Sequence, residues 1–148
     1  MTNLSLNLNT DVVQSQLSET GVLTLTMNRA DKKNALTGEM YDDLANALRH
    51  ANENSKIRVV ILTGNADCFT AGNDIQSFLQ ITQMPGMDLS DSPVTRFMFA
   101  LFECQKIVIA AVNGVAIGIG VTMLMHCDFV FLGDNAILQM PFVNIGLC

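Results

Sequence analysis

The chain has 148 residues, enough for one domain with a sizeable core. An apolar share of 49% with only 15% charged residues indicates a globular protein and excludes extended disorder. A net charge of −6 and a pI near 4.6 argue against nucleic acid as a partner. A phosphorylated ligand stays open, because local cations and helix N-termini hold such groups even on acidic proteins.

Met1 to Asp11 is polar, without a basic n-region or an apolar h-region, so no secretory signal is predicted and a cytoplasmic location is expected. Val12–Leu17 and Val22–Met27 read as successive strands, with Glu19-Thr20-Gly21 as the turn. Asn28 to Thr37 is a polar loop ending in a good N-cap, Thr37, with Glu39 in the first helical turn. Met40, Leu44, Leu48 and Tyr41, Ala45 then recur at helical spacing. His50 falls near the helix C-terminus, where a solvated partner of the helix dipole is the better reading than a catalyst.

Val59–Leu62 is the next strand, followed by a glycine turn and a short helix around Ile75–Gln80. Met84 to Pro93 is polar with two prolines and is expected to be a mobile loop. Ser92-Pro93 then starts a helix running from about Val94 to Glu103, with Phe97, Leu101 and Phe102 as candidate stripe residues. Strand Ile107–Val112, a second glycine turn and a buried helix to about His126 follow. Strand Phe129–Leu132 and the extended pair Ile137–Leu138 come last. No internal sequence repeat is visible, and strands alternating with helices indicate an α/β fold with parallel pairing. The closing PFVNIGLC is apolar and turn-like, so a partner surface or further chain is expected to cover it.

Ile107 to Met125 is uncharged over 19 residues, the length of a membrane span. Asn113-Gly114, Gly118 and Gly120 interrupt it, the residues before Asn113 are β-branched, and no basic cluster flanks it. A buried strand–turn–helix is the better reading, and no membrane association is expected. Cys68, Cys104, Cys127 and Cys148 show no CxxC or Cys/His spacing, so they read as small reduced thiols and no metal site is predicted.

The two glycine turns, TGNADCFTAGND at 63–74 and VNGVAIGIGVT at 112–122, each follow a short apolar strand. Two parallel strands that end in such turns can aim backbone N–H groups at one point, which is what holding an oxyanion requires. Without further information, glycines that merely permit tight strand-to-helix turns are the simpler explanation.

The ordered set NRADKKNAL, FTAGNDI, AAVNGVAIGIG, HCDFVF and PFVNIGL resembles the N-terminal half of the crotonase (enoyl-CoA hydratase/isomerase) family, from about Gly21 onward. The nearest branch by motif is the Δ3,Δ2-enoyl-CoA isomerases. The resemblance implies a crotonase-like spiral of β-β-α units over residues 1–148, without the C-terminal part of the usual domain. It implies acyl-CoA thioester as ligand, with no separate cofactor because coenzyme A belongs to the substrate. In complete form it implies a homo-oligomer, trimer or hexamer. The oxyanion donors implied are the backbone N–H groups of Asn73 and Ile119, with Gly118 preparing the second turn. Backbone around Ala35, Leu36 and Ala71 matches positions that line the CoA, and Asp74, Ile75 and Pro141 fall within the same matched turns. Lys32 and Lys33 are either phosphate partners or ordinary solvated lysines. Asp74 reads first as a helix N-cap and second as an organiser of its turn.

Hydratases of the family use two glutamates, and the matching positions here are Thr122 and Phe142, neither of them a general base. Thr122 reads as a helix residue and Phe142 as either a wall of the acyl pocket or a core residue. Isomerases use one glutamate in a Pro-Glu turn after the IGL-like segment, which here runs into Cys148. Asp128 is expected to close a structural turn, and Asp67, Asp88 and Asp91 are loop acids without evident partners. Three readings therefore stand: an isomerase-type protein, a hydratase, and a non-catalytic acyl-CoA binder or assembly subunit.

Overall fold

The strand Val13–Leu17 (β1) turns back at Ser18–Gly21 and pairs antiparallel with Val22–Met27 (β2) in the computed structural model, which describes residues 8, 10–82 and 89–146. Every later pairing is parallel. Val59–Gly64 (β3), Ile107–Val112 (β5) and Phe129–Leu132 (β7) extend β2 into a sheet of order β1-β2-β3-β5-β7. Cys68–Thr70 (β4), Val115–Ile117 (β6) and Ile137–Gln139 (β8) form a second parallel sheet of order β4-β6-β8.

The order of these strands is a spiral. Each of the last three strands of the large sheet is followed directly by one of the small sheet: β3 then β4, β5 then β6, β7 then β8. The repeat is therefore structural although no sequence repeat announces it. Side-chain amides tie its successive corners. Asn34 Nδ2 donates to the Cys68 and Asn65 carbonyls, Asn113 exchanges bonds with Gly64 N and O, and Asn135 Oδ1 accepts from Gly114 N. At Gly114, with φ at +68°, a Cβ would lie 1.9 Å from the Asp67 carbonyl oxygen, so only glycine lets the corners approach this closely.

Two helices close the core. Gly38–Glu53 (α1) starts at Thr37, whose Oγ1 accepts from Met40 N at 3.3 Å, and carries Glu39 in its first turn and His50 in its last. Pro93–Phe102 (α3) is capped by Ser92 Oγ accepting from Thr95 N, with proline at the first helical position. Leu44, Leu48, Phe97 and Leu101 from these helices join Leu23, Leu25, Val60, Leu62, Val108 and Ala110 from alternate positions of β2, β3 and β5 in one buried cluster. Each of the Leu, Val and Phe side chains contributes about 1.5–3 kcal/mol of burial. Ile75–Thr82 (α2) and the short Ile119–Thr122 (α4) complete the helices.

Several expectations need correction. Both glycine turns contain three-residue strands, β4 and β6, too short to show a periodicity and paired with each other. The helix expected to reach His126 is α-helical only to Thr122 and continues as a 3₁₀ turn over Met123–His126. That tighter winding leaves His126 exposed rather than buried, with its ring edge-on to Phe102. Phe102 leaves the apolar stripe of α3 and is 71% exposed. Asp91 has a partner, the Arg96 guanidinium at 3.3 Å, which also bridges to Asp42. Of the expected mobile loop, residues 84–88, including Asp88, lie outside the described residues, as does Cys148. Leu89–Asp91 is a 3₁₀ turn. The expected role of Asp128 holds: its Oδ2 accepts from Val108 N at 2.7 Å.

Candidate active site

The small sheet aims three chain segments at one edge. Its strands run parallel, so Gly72-Asn73 after β4, Gly118-Ile119 after β6 and Pro141-Phe142 after β8 leave at the same C-terminal side. Crevices beyond the carboxyl ends of parallel strands are where α/β proteins collect their ligands.

The two turns are built alike around a gripped peptide. The Gly72 carbonyl accepts from Leu36 N at 2.8 Å. A trans peptide directs its C=O and N–H oppositely, so the Asn73 N–H of that unit faces away from Leu36. The Gly118 carbonyl accepts from Val121 N and Thr122 N at the start of α4, which turns the Ile119 N–H out of the helix. Among the described residues neither amide donates a hydrogen bond, whereas Gly72 N, Asp74 N, Gly118 N and Val121 N all do. Gly72 holds φ at +90°, and a Cβ there would meet the Ile117 carbonyl oxygen at 2.8 Å, so a side chain would force the two turns apart.

A strap over residues 33–36 fastens the first turn. Ala71 N donates to Lys33 O, Thr70 Oγ1 to Asn34 O, and Asp74 N to Leu36 O. Both backbone groups of Leu36 are thus engaged with the turn, and its side chain is buried. Arg29 Nη1 locks the strap from outside, donating to the Ala35 carbonyl at 3.0 Å and to Asp74 Oδ2 at 2.7 Å. Asp74 Oδ1 caps α2 by accepting from Ser77 N at 3.0 Å. The Arg29 hydrogen bond, then the Ser77 amide, holds the Asp74 carboxyl below the usual carboxylate range. Both roles considered for Asp74 therefore coexist.

Leu36, Gly38, Tyr41, Asn73, Asp74, Ser77 and Val94 line a shallow depression beside the Asn73 turn. Ile75 at its margin is 74% exposed. On the other turn Phe142 is half-buried, with Cε1 3.9 Å from where a Cβ on Gly118 would sit. Thr122 Oγ1 donates back to the Ile119 carbonyl at 3.4 Å, the ordinary bond of a helical threonine. Lys32 and Lys33 are exposed on a 3₁₀ turn and form no ion pair among the described residues. Arg29, Asn34 and Tyr41 were not singled out by the sequence. Tyr41 sits at an apolar-periodic position of α1, where nothing marks its hydroxyl as directed at Asn73.

Residues 18–148 match the family model described as enoyl-CoA hydratase/isomerase. The chain belongs to that family. It is 35% identical over 135 residues to enoyl-CoA delta isomerase 2 of Homo sapiens, covering 87% of this chain and 33% of that protein. It is also 35% identical to 2,3-dehydroadipyl-CoA hydratase of Escherichia coli, covering 85% of this chain and 48% of that one. Among solved structures, Pseudomonas aeruginosa OdaA superposes with a TM-score of 0.83 at 53% identity, over 93% of this chain and 53% of that chain. The chain spans a third to about half the length of the curated relatives it matches. No helix among the described residues is long and apolar enough to cross a membrane.

Proposed function

We propose that this chain carries the acyl-CoA-binding and enolate-holding part of a Δ3,Δ2-enoyl-CoA isomerase. The observation that carries the reading is the pair of amides, Asn73 N–H and Ile119 N–H, that donate no hydrogen bond among the described residues and sit at the ends of adjacent parallel strands. Removing a proton from C2 of a 3-enoyl thioester moves negative charge onto the thioester oxygen. Two fixed donors stabilise that charge, and the loss of one such donor typically costs about 3–4 kcal/mol of transition-state stabilisation. Returning the proton at C4 then leaves the double bond at C2–C3.

Isomerisation without hydration fits the neighbouring side chains. Thr122 and Phe142 occupy the positions matched to the hydratase glutamates and cannot activate water. Asp74, held by Arg29, is a poor free base. The family resemblance assigns the base to a Pro-Glu turn following the IGL-like segment at 145–147. The strap bearing Lys32 and Lys33, with Ala35, Leu36 and Ala71, forms the face along which the CoA moiety lies, the lysines contributing phosphate attraction. A homo-oligomer, trimer or hexamer, is the assembly this reading carries for the complete protein.

The test is isomerisation of 3-enoyl-CoA by three polypeptides: the 148-residue chain, the chain extended by a family C-terminal segment containing Pro-Glu, and that extension with glutamate changed to glutamine. The extension should raise turnover by about 10²–10⁴-fold over the other two, the usual worth of general acid–base assistance. Rapid isomerisation by the 148-residue chain would overturn this assignment of the base and direct the search to Asp67, Asp74 and Asp128.

A further inference from the structure

Tyr41 is 2% exposed, packed on Phe97 with ring centroids 5.7 Å apart, yet its hydroxyl leaves the core and donates to Asn73 Oδ1 at 2.5 Å. Burial pushes the phenol well above its ordinary value, so the group is a protonated donor throughout the working pH range. Asn73 is otherwise an exposed side chain on a turn. A free carboxamide there competes for nearby backbone N–H groups, as asparagine does in Asx turns, and lets the Asn73 backbone swing. The bridge to Leu36 grips the Gly72 carbonyl and the Asp74 N–H on either side, and the Tyr41 bond adds a hold on the Asn73 side chain between them.

We propose that Tyr41 is a positioning residue for the oxyanion donor at Asn73: its O–H, held by a core ring, fixes the Asn73 carboxamide and so the direction of the Asn73 amide. The inference rests on the enolate-holding reading above. The connection runs from α1 to the end of β4, so the rigid core sets one of the two donors.

The experiment compares the affinity of the 148-residue chain for acetoacetyl-CoA, bound as its ultraviolet-absorbing enolate, with that for butyryl-CoA, which carries no enolate. The ratio of the two isolates donor alignment from general binding. Tyr41→Phe and Asn73→Ala should each lower the ratio of enolate to butyryl-CoA affinity by about three- to tenfold, the worth of one hydrogen bond. The double variant should fall no further than either single one, because both remove the same bond. Ile119→Pro deletes the second donor at a helix position that accepts proline and serves as the control. If Ile119→Pro lowers the ratio and Tyr41→Phe does not, or if the two Tyr41/Asn73 effects add, the positioning role is overturned and the oxyanion reading survives. If Ile119→Pro also leaves the ratio unchanged, or neither thioester binds the parent chain, the enolate-holding reading fails and the inference with it.

Discussion

Arg29 and Asp74, separated by 45 positions, meet at 2.7 Å and join the strap that precedes α1 to the turn that precedes α2. Their side chains are 21% and 16% exposed, so the pair is shielded more than a surface ion pair and less than a core one. Because the carboxyl is held below its ordinary value of 3.8, its ionised form is favoured in the folded state. The stabilisation is therefore fully present above that value and is lost as pH falls through the lower folded one. Asp74→Asn should cost about 1 kcal/mol near neutrality. The difference from the parent should shrink below about pH 4 in denaturant titrations, the ordinary carboxyl range. A gap that stayed constant down to pH 2 would show that the charge on Asp74 contributes nothing.

Gly72→Ala should be more damaging than its size implies. The new Cβ would lie 2.8 Å from the Ile117 carbonyl oxygen in a backbone at φ +90°. A cost of about 1–3 kcal/mol is expected from strain at such a site. Displacement of the Asn73 amide should accompany it. Urea unfolding reads the first effect and the acetoacetyl-CoA to butyryl-CoA affinity ratio reads the second. Parent-like values of both would contradict the geometry of the two turns.

Hydration of 2-enoyl-CoA should stay at the buffer rate. Thr122 bonds to the Ile119 carbonyl and Phe142 carries an aromatic ring, so no carboxylate occupies either matched position. The assay is loss of the conjugated thioester absorbance with product analysis. Dose-dependent formation of the 3-hydroxy thioester would show that another group activates water.

Asn34→Ala should be among the most destabilising single changes outside the apolar core. Asn34 is fully buried, and its carboxamide serves Arg29 N, the Asn65 carbonyl and the Cys68 carbonyl. Removing it strands the buried Cys68 carbonyl at about 1–3 kcal/mol and takes a partner from the part-buried Arg29 amide and Asn65 carbonyl, partly relieved by relaxation. Alanine also tolerates the left-handed φ of 53° less well. A shift of the urea midpoint with unchanged slope is the expected signature. An unshifted midpoint would mean that water replaces the side chain.

The long elements were legible because each carries a signal of its own. Alternation marked Val22–Met27, β-branched runs marked Val59–Gly64 and Ile107–Val112, and Thr37 and Ser92 marked helix starts that the hydrogen bonds bear out. The three-residue strands were hidden because nothing in CFT or VAI differs from turn sequence, and only their partners make them strands. The resemblance of the two glycine turns to family motifs pointed to Asn73 and Ile119, since a backbone donor needs its turn and not its side chain. Tyr41, Arg29 and Asn34 were not singled out for the opposite reason. Their roles depend on atoms 32, 45 and 34 positions away, and local spacing carries no record of such meetings.

The spiral also sets how the molecule opens. Each turn of it rests mainly on its neighbours, so protection against amide hydrogen exchange should be graded along the chain and not uniform. Val60 and Leu62 of β3 and Val108 and Ala110 of β5 are flanked by strands on both sides and roofed by helices. At the far end, all four side chains of β7 and all three of β8 are exposed, with Phe131 at 63%. Exchange should therefore be slowest at β3 and quicken through β5 to β7 and β8. The second glycine turn, which follows β6 and leans on β8, lies on the looser side of that gradient. The first, braced by α1, lies on the tighter side. The two glycine turns thus belong to regions of unequal lifetime, and any surface that settles on β7 and β8 would slow exchange at the bonded Gly118 amide before it altered exchange at the bonded Asp74 amide.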